Sequence, residues 1–236
     1  MKTTHNATSP VATSPGVLYR VGRAVLWPLA RVLYRPTVTG RENVPRSGPV
    51  LFASNHLSAL DSLAIPLAAP RHVQFLTKAH YFEGPGILGA VRRWFFTSIG
   101  AVPVHRGAGH AAQEALDSGR EVLRNGHTFA VYPEGTRSRD GRLYKGRTGV
   151  GWLALETRAT VIPVGLIGTD GQPPAGQRRG RTPVRVAFGR PVDLSDLSSA
   201  GSGADRREAT DRIMAAVHGL SGQEWAGSYN DVPEAG

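Results

Sequence analysis

The sequence predicts an α/β protein: a mostly parallel, mixed sheet flanked by helices, preceded by an N-terminal amphipathic helical segment. Two observations carry this prediction. From residue 49 onward, short apolar runs alternate with longer stretches of helical period. A length of 236 residues is enough for one large domain with a full core, and 29 glycines and 17 prolines supply turns without any repeat or low-complexity tract.

Taken in order, residues 1–15 are mostly Thr, Ser, Asn and Pro, with little to bury, and read as a disordered N-terminus. Residues 16–40 read as an amphipathic segment at a membrane interface. At about 100° per residue, Leu18, Val21, Val25, Leu29 and Val32 share one face, with Arg20, Arg23, Arg31 and Arg35 on the other. Trp27, Tyr19 and Tyr34 suit headgroup depth, and Pro28 is expected to kink the helix or split it. The main domain, 41–220, has expected strands at 49–54, 72–77, 100–104, 128–132, 160–167 and 183–189. Expected helices lie at about 60–69, 86–97, 108–124, 148–157 and 205–219, the last after a Ser/Gly linker at 198–203. Residues 221–236 read as a flexible tail.

The formal net charge is +10, which favours anionic partners and says nothing of fold. No acid occurs before Glu42. Further basic runs are Arg137, Arg139, Arg142, Lys145 and Arg147, then Arg178, Arg179, Arg181, Arg185 and Arg190. Nucleic acid is not the expected partner, since no aromatic-interleaved basic motif or recognition-helix pattern appears. No cysteine is present, so disulfides, thiolate metal sites and a cysteine nucleophile are excluded. The N-terminus lacks a signal-peptide core, and no run approaches the ~18 apolar residues of a membrane span. The expected location is therefore peripheral, on the cytoplasmic face of the cell membrane.

Ligands of such sheets sit beyond the carboxyl ends of the strands. His56, Arg106 and Glu134 all fall just past expected strand ends. An imidazole can take a proton from a hydroxyl near neutral pH, and Asp61 is placed to accept the other ring N–H and fix the tautomer. Five residues on a straight helix rotate by about 140°, so the pair meets only if His56 lies in a loop or first turn. Ser58 lacks a nucleophile-elbow context, which favours direct attack by a substrate hydroxyl over a covalent enzyme intermediate. Gly135, Thr136 and Arg137 form a candidate anion-binding turn, with Glu134 beside them; Arg106 and Lys78 are further candidate phosphate contacts.

The blocks Asn55-His56-x-Ser58-x-x-Asp61, Ala101-Val102-Pro103-Val104-His105-Arg106, Tyr132-Pro133-Glu134-Gly135-Thr136-Arg137-Ser138 and Val161-Ile162-Pro163-Val164 occur in that order. Together they resemble the four ordered blocks of the glycerolipid acyltransferases, the family of 1-acylglycerol-3-phosphate acyltransferases. His105 departs from the acidic or polar residue common at that place. The resemblance implies that His56 is the general base and Asp61 orients it. Asn55, Ser58, Lys78, Arg106, Glu134, Gly135, Thr136, Arg137 and Pro163 would line the substrate sites. The implied donor is acyl-CoA or acyl-carrier protein, the acceptor is lysophosphatidic acid or a related lipid, and no metal or redox cofactor is implied. Other lysophospholipid or glycolipid acceptors, and a non-catalytic basic membrane-binding protein, are the competing readings.

Overall fold

Among the described residues, seven strands make one sheet: β1 (Thr37–Thr39), β2 (Val50–Ser54), β3 (Val73–Lys78), β4 (Ala101–Val104), β5 (Thr128–Val131), β6 (Thr160–Ile167) and β7 (Arg185–Phe188). The same residues form six α-helices: α1 (Val17–Tyr34), α2 (Asp61–Ala68), α3 (Gly86–Ser98), α4 (Ala111–Arg124), α5 (Gly149–Thr157) and α6 (Gly203–Ser221). This is a computed structural model, and it describes residues 17–78, 82–98, 100–104, 111–171 and 184–230. The strand order is β1-β7-β6-β2-β5-β3-β4. Strands β6, β2, β5, β3 and β4 run parallel, whereas β7 is antiparallel to β6 and carries β1 parallel to itself.

The central strand shows how the layers arise. Every residue of β2 is buried, as expected for a strand covered on both faces. Val50 and Phe52 pack with Ile65 and Ala68 of α2. Leu51 and Ala53 face the other way, into Val122 and Leu123 of α4, Leu153 of α5 and Ile213 of α6. Helix α1 packs against α2 and α3, so these three form one layer and α4, α5 and α6 the other. At Gly165 a Cβ would lie 2.6 Å from that of Leu220, so the missing side chain is what lets α6 lie directly on β6.

Three expectations need correction. Strand β1 is absent from the prediction because Thr37-Val38-Thr39 has one apolar residue and gains its register only by pairing with β7. Pro28 does not split α1, which runs unbroken across it. Pro28 and Ala24 are both exposed, so solvent can partner the Ala24 carbonyl that proline leaves without a donor. The flexible tail is instead pinned along 222–230. Leu143 N donates to Glu224 O, Ala226 N to Leu143 O and Lys145 N to Ser228 O, while Trp225 stacks on His218 at 4.9 Å. The Ser/Gly linker is similarly held: Ser202 Oγ caps Asp205 N, and Asp205 Oδ2 accepts from Ser198 N and Ser199 N. The disordered segment expected at 1–15 lies outside the described residues.

Candidate active site

The site is built at the carboxyl ends of β2, β5 and β6, three neighbouring parallel strands with β2 in the middle. Asn55 closes the end of β2. Its Nδ2 donates to Leu166 O and its Oδ1 accepts from Leu166 N, both at 2.8 Å, so the side chain extends the β2–β6 ladder by one rung. It is fully buried with donor and acceptor spent on backbone. Expected as a substrate contact, Asn55 instead fixes where the chain leaves the sheet.

His56 follows in the loop, and Asp61 is the first residue of α2. This is the loop-to-first-turn geometry that lets the two meet. His56 Nδ1 lies 2.7 Å from Asp61 Oδ2. The same oxygen accepts from Leu57 N at 2.7 Å and Ser58 N at 2.8 Å. The carboxylate is 0% exposed and the imidazole 16%, so the acid is sealed beneath a ring that still reaches solvent. Ser58 Oγ donates its one proton to Thr169 O and accepts from Leu60 N, tying the loop after β2 to the loop after β6. In this role Ser58 staples the two loops together.

The loop after β5 is laced to the His56 loop by Glu134. Its Oε1 accepts from His56 N at 3.0 Å and its Oε2 from Tyr144 N at 2.9 Å, and Ser138 N donates to His56 O. Burial pushes the Glu134 carboxyl up to about 7, against the pull of the Tyr144 and His56 N–H groups. With both oxygens on backbone donors and no exposure, Glu134 is a brace and not the substrate ligand expected. Gly135 turns the chain at φ +81, and a Cβ there would come within 3.3 Å of the Arg147 side chain. Thr136 is half-buried and Arg137 exposed, on the turn that Glu134 anchors.

Pro163 does not belong to this cluster. It lies inside β6 opposite Ala53, short of the strand's carboxyl end. Its carbonyl accepts from Gly189 N, so its missing N–H points to the same side, where β7 pairing has just ended, and the sheet loses little. Lys78 closes β3, and its side chain lies outside the described residues, as do Arg106 and His105. The sequence reading missed Tyr132. Its ring stacks on His56 at 3.8 Å and 8°. Burial and the nearby Asp61 charge push its phenol well up, keeping the ring neutral. The available signal was an aromatic residue directly ending the apolar run before Glu134.

This pairing of a sealed carboxylate, a stacked and accessible imidazole and a backbone-anchored Glu-Gly-Thr-Arg turn can be compared with known proteins. The acyltransferase family model matches residues 35–167, which hold His56, Asp61 and the whole 132–138 turn. The chain belongs to the acyltransferase family. It is 32% identical over 174 residues to a chloroplastic 1-acyl-sn-glycerol-3-phosphate acyltransferase of Arabidopsis thaliana, covering 72% of this chain and 47% of that one. A Brassica napus protein of the same description is 31% identical over 174 residues, covering 72% and 49%. The chain therefore spans about half the length of the curated relatives it matches. Among solved structures it resembles the 1-acyl-sn-glycerophosphate (LPA) acyltransferase PlsC of Thermotoga maritima. The TM-score is 0.60 at 25% identity, over 86% of this chain and 79% of that one.

Proposed function

We propose that this acyltransferase moves an acyl group from acyl-CoA or acyl-carrier protein to the free hydroxyl of 1-acylglycerol-3-phosphate, giving phosphatidic acid. The observation that carries the reading is the 2.7 Å contact of His56 Nδ1 with a sealed Asp61 carboxylate. Asp61 holds the Nδ1 proton, which leaves the Nε2 lone pair free toward solvent. Nε2 takes the hydroxyl proton as the oxygen attacks the thioester carbonyl. The tetrahedral intermediate expels the thiolate, and the imidazolium returns its proton to that sulfur. Asp61 stabilises the imidazolium between the two steps. No metal or redox cofactor enters this scheme. Thr136 and Arg137 hold the acceptor phosphate, with Arg106 and Lys78 as further cations in that role.

The enzyme works at the cytoplasmic face of the membrane as a peripheral protein, with α1 on the lipid. In support, no helix among the described residues is long and apolar enough to cross a bilayer. The reaction is tested by thiol release from acyl-CoA with lysophosphatidate present. His56→Ala should abolish most turnover while leaving substrate binding intact; full turnover would end the general-base assignment. Arg137→Ala should weaken phosphate-bearing acceptors by about 1.5–3 kcal/mol, the value of a lost charged hydrogen bond. Equal loss on a phosphate-free acceptor would refute that role.

A further inference from the structure

Helix α3 carries an apolar face that the fold leaves open. Ile87 is 84% and Leu88 86% exposed, and Val91 and Trp94 are each more than half exposed. At about 100° per residue these four lie within a stripe roughly 120° wide. Phe96 sits on the opposite side of the helix and packs against Phe82, 5.9 Å away, and the core. The helix is thus docked by one face, and Ile87, Leu88 and Val91 are exposed on the other. Beside it is a hollow of about 540 Å³ lined by Pro85, Leu88, Val91, Arg92 and Trp94. Large apolar side chains grouped on one exposed face mark an interaction surface.

Charge and continuity identify that partner. Helix α3 packs against α1, whose Val17, Val21, Val25, Leu29 and Val32 are also more than half exposed. Neither helix contains an Asp or Glu, while Arg20, Arg31, Arg92 and Arg93 are exposed on them. Two adjoining helices with apolar stripes, arginines and no acid fit a surface that is apolar within and anionic at its rim.

We infer that α3 is a second lipid-inserting element, which together with α1 seats the enzyme on an anionic bilayer surface. Trp94 lies at the acyl boundary, and Arg92, about 100° from the centre of the stripe, meets lipid phosphates. This extends the membrane placement given above and is independent of acyl transfer. The chain has no cysteine, so Ile87→Cys gives a single labelling site, and Glu121→Cys on the exposed side of α4 gives its control. Each variant carries an environment-sensitive fluorophore and is mixed with phosphatidylglycerol–phosphatidylcholine vesicles. The label at 87 should shift to the blue and be quenched by brominated lipid, and the label at 121 should do neither. Leu88→Asp/Val91→Asp should partition onto these vesicles at least about tenfold more weakly, yet keep wild-type turnover on a short-chain, water-soluble acceptor. Absence of vesicle binding by the wild type, a label at 87 that stays in water on bound protein, or wild-type partition of the double variant would each overturn the inference. So would a change of oligomeric state in the double variant with vesicle binding intact, which would make this face a contact between copies. His56→Ala should bind vesicles as wild type does, so a failure here is separable from a failure of the acyl-transfer reading.

Discussion

Tyr132 holds the position from which a neutral aromatic ring can favour a charged imidazole. In the proposed mechanism His56 becomes cationic when it takes a proton, and the stacked ring face at 3.8 Å attracts that cation while Asp61 pins the ring edge. Tyr132→Phe should therefore retain turnover. Tyr132→Leu should lower kcat about 3–10-fold with little change in KM, the scale of one aromatic pair. A larger effect on KM than on kcat would mean that the ring serves the acceptor instead. Glu134 gives a second residue-level test. Its folded carboxyl titrates at about 7 and the unfolded one at 4.5, so between these values only the folded state holds the proton. The folded protein then binds more protons than the unfolded chain, and the stability owed to this group falls as pH rises through that window. The stability difference between wild type and Glu134→Ala, measured by urea unfolding, should shrink by up to about 3 kcal/mol from pH 4.5 to 7. A difference that grows with pH would show the carboxylate to be stabilised by its two backbone donors more than burial penalises it.

At the scale of elements, the segment 222–230 acts as a strap across the basic loop. Asn230 Nδ2 donates to Arg137 O, Gln223 Nε2 donates to Gly141 O, and the Tyr229 ring lies 5.4 Å from Lys145 Nζ and 5.6 Å from Arg147 Cζ. These contacts order the 137–147 loop without touching His56. Ending the chain after Gly222 should raise KM for a phosphate-bearing acceptor several-fold and change kcat less. An equal loss in both would place the strap's effect on the catalytic loop. Residues such as Tyr229 and Asn230 show why the strap was illegible in the sequence: they are spaced as a loop is, and their partners Lys145, Arg147 and Arg137 lie far away along the chain. Helix α4 was legible from its helical period, and strands β2 and β6 from the short continuous apolar runs that burial on both faces requires. The same split runs through the site. His56, Asp61 and the 134–137 turn are adjacent in sequence to the strand ends that place them. The true work of Asn55 and Glu134 appears only once β6 and Tyr144 are alongside. Both are polar residues in reactive-looking blocks, and only their burial separates a brace from a ligand.

For the whole molecule, the proposed membrane placement assigns separate contributions to the net charge of +10 and to the apolar stripes of α1 and α3. The two parts respond differently to salt. Exposed charges are screened over about 10 Å at 0.1 M salt, whereas burial of Leu88 or Val25 in acyl chains is not. Partition onto anionic vesicles should therefore fall as salt is raised and then level off at a floor set by the apolar side chains. Arg20→Ala/Arg31→Ala should weaken binding at low salt by about thirtyfold, at about 1 kcal/mol per basic residue near the surface, and leave the floor unchanged. Val25→Asn should lower the floor while leaving the slope intact. Vesicle co-sedimentation over a salt series reads both quantities at once. Binding with no salt dependence would remove the arginines from the account, and binding that vanishes at high salt would remove the apolar stripes.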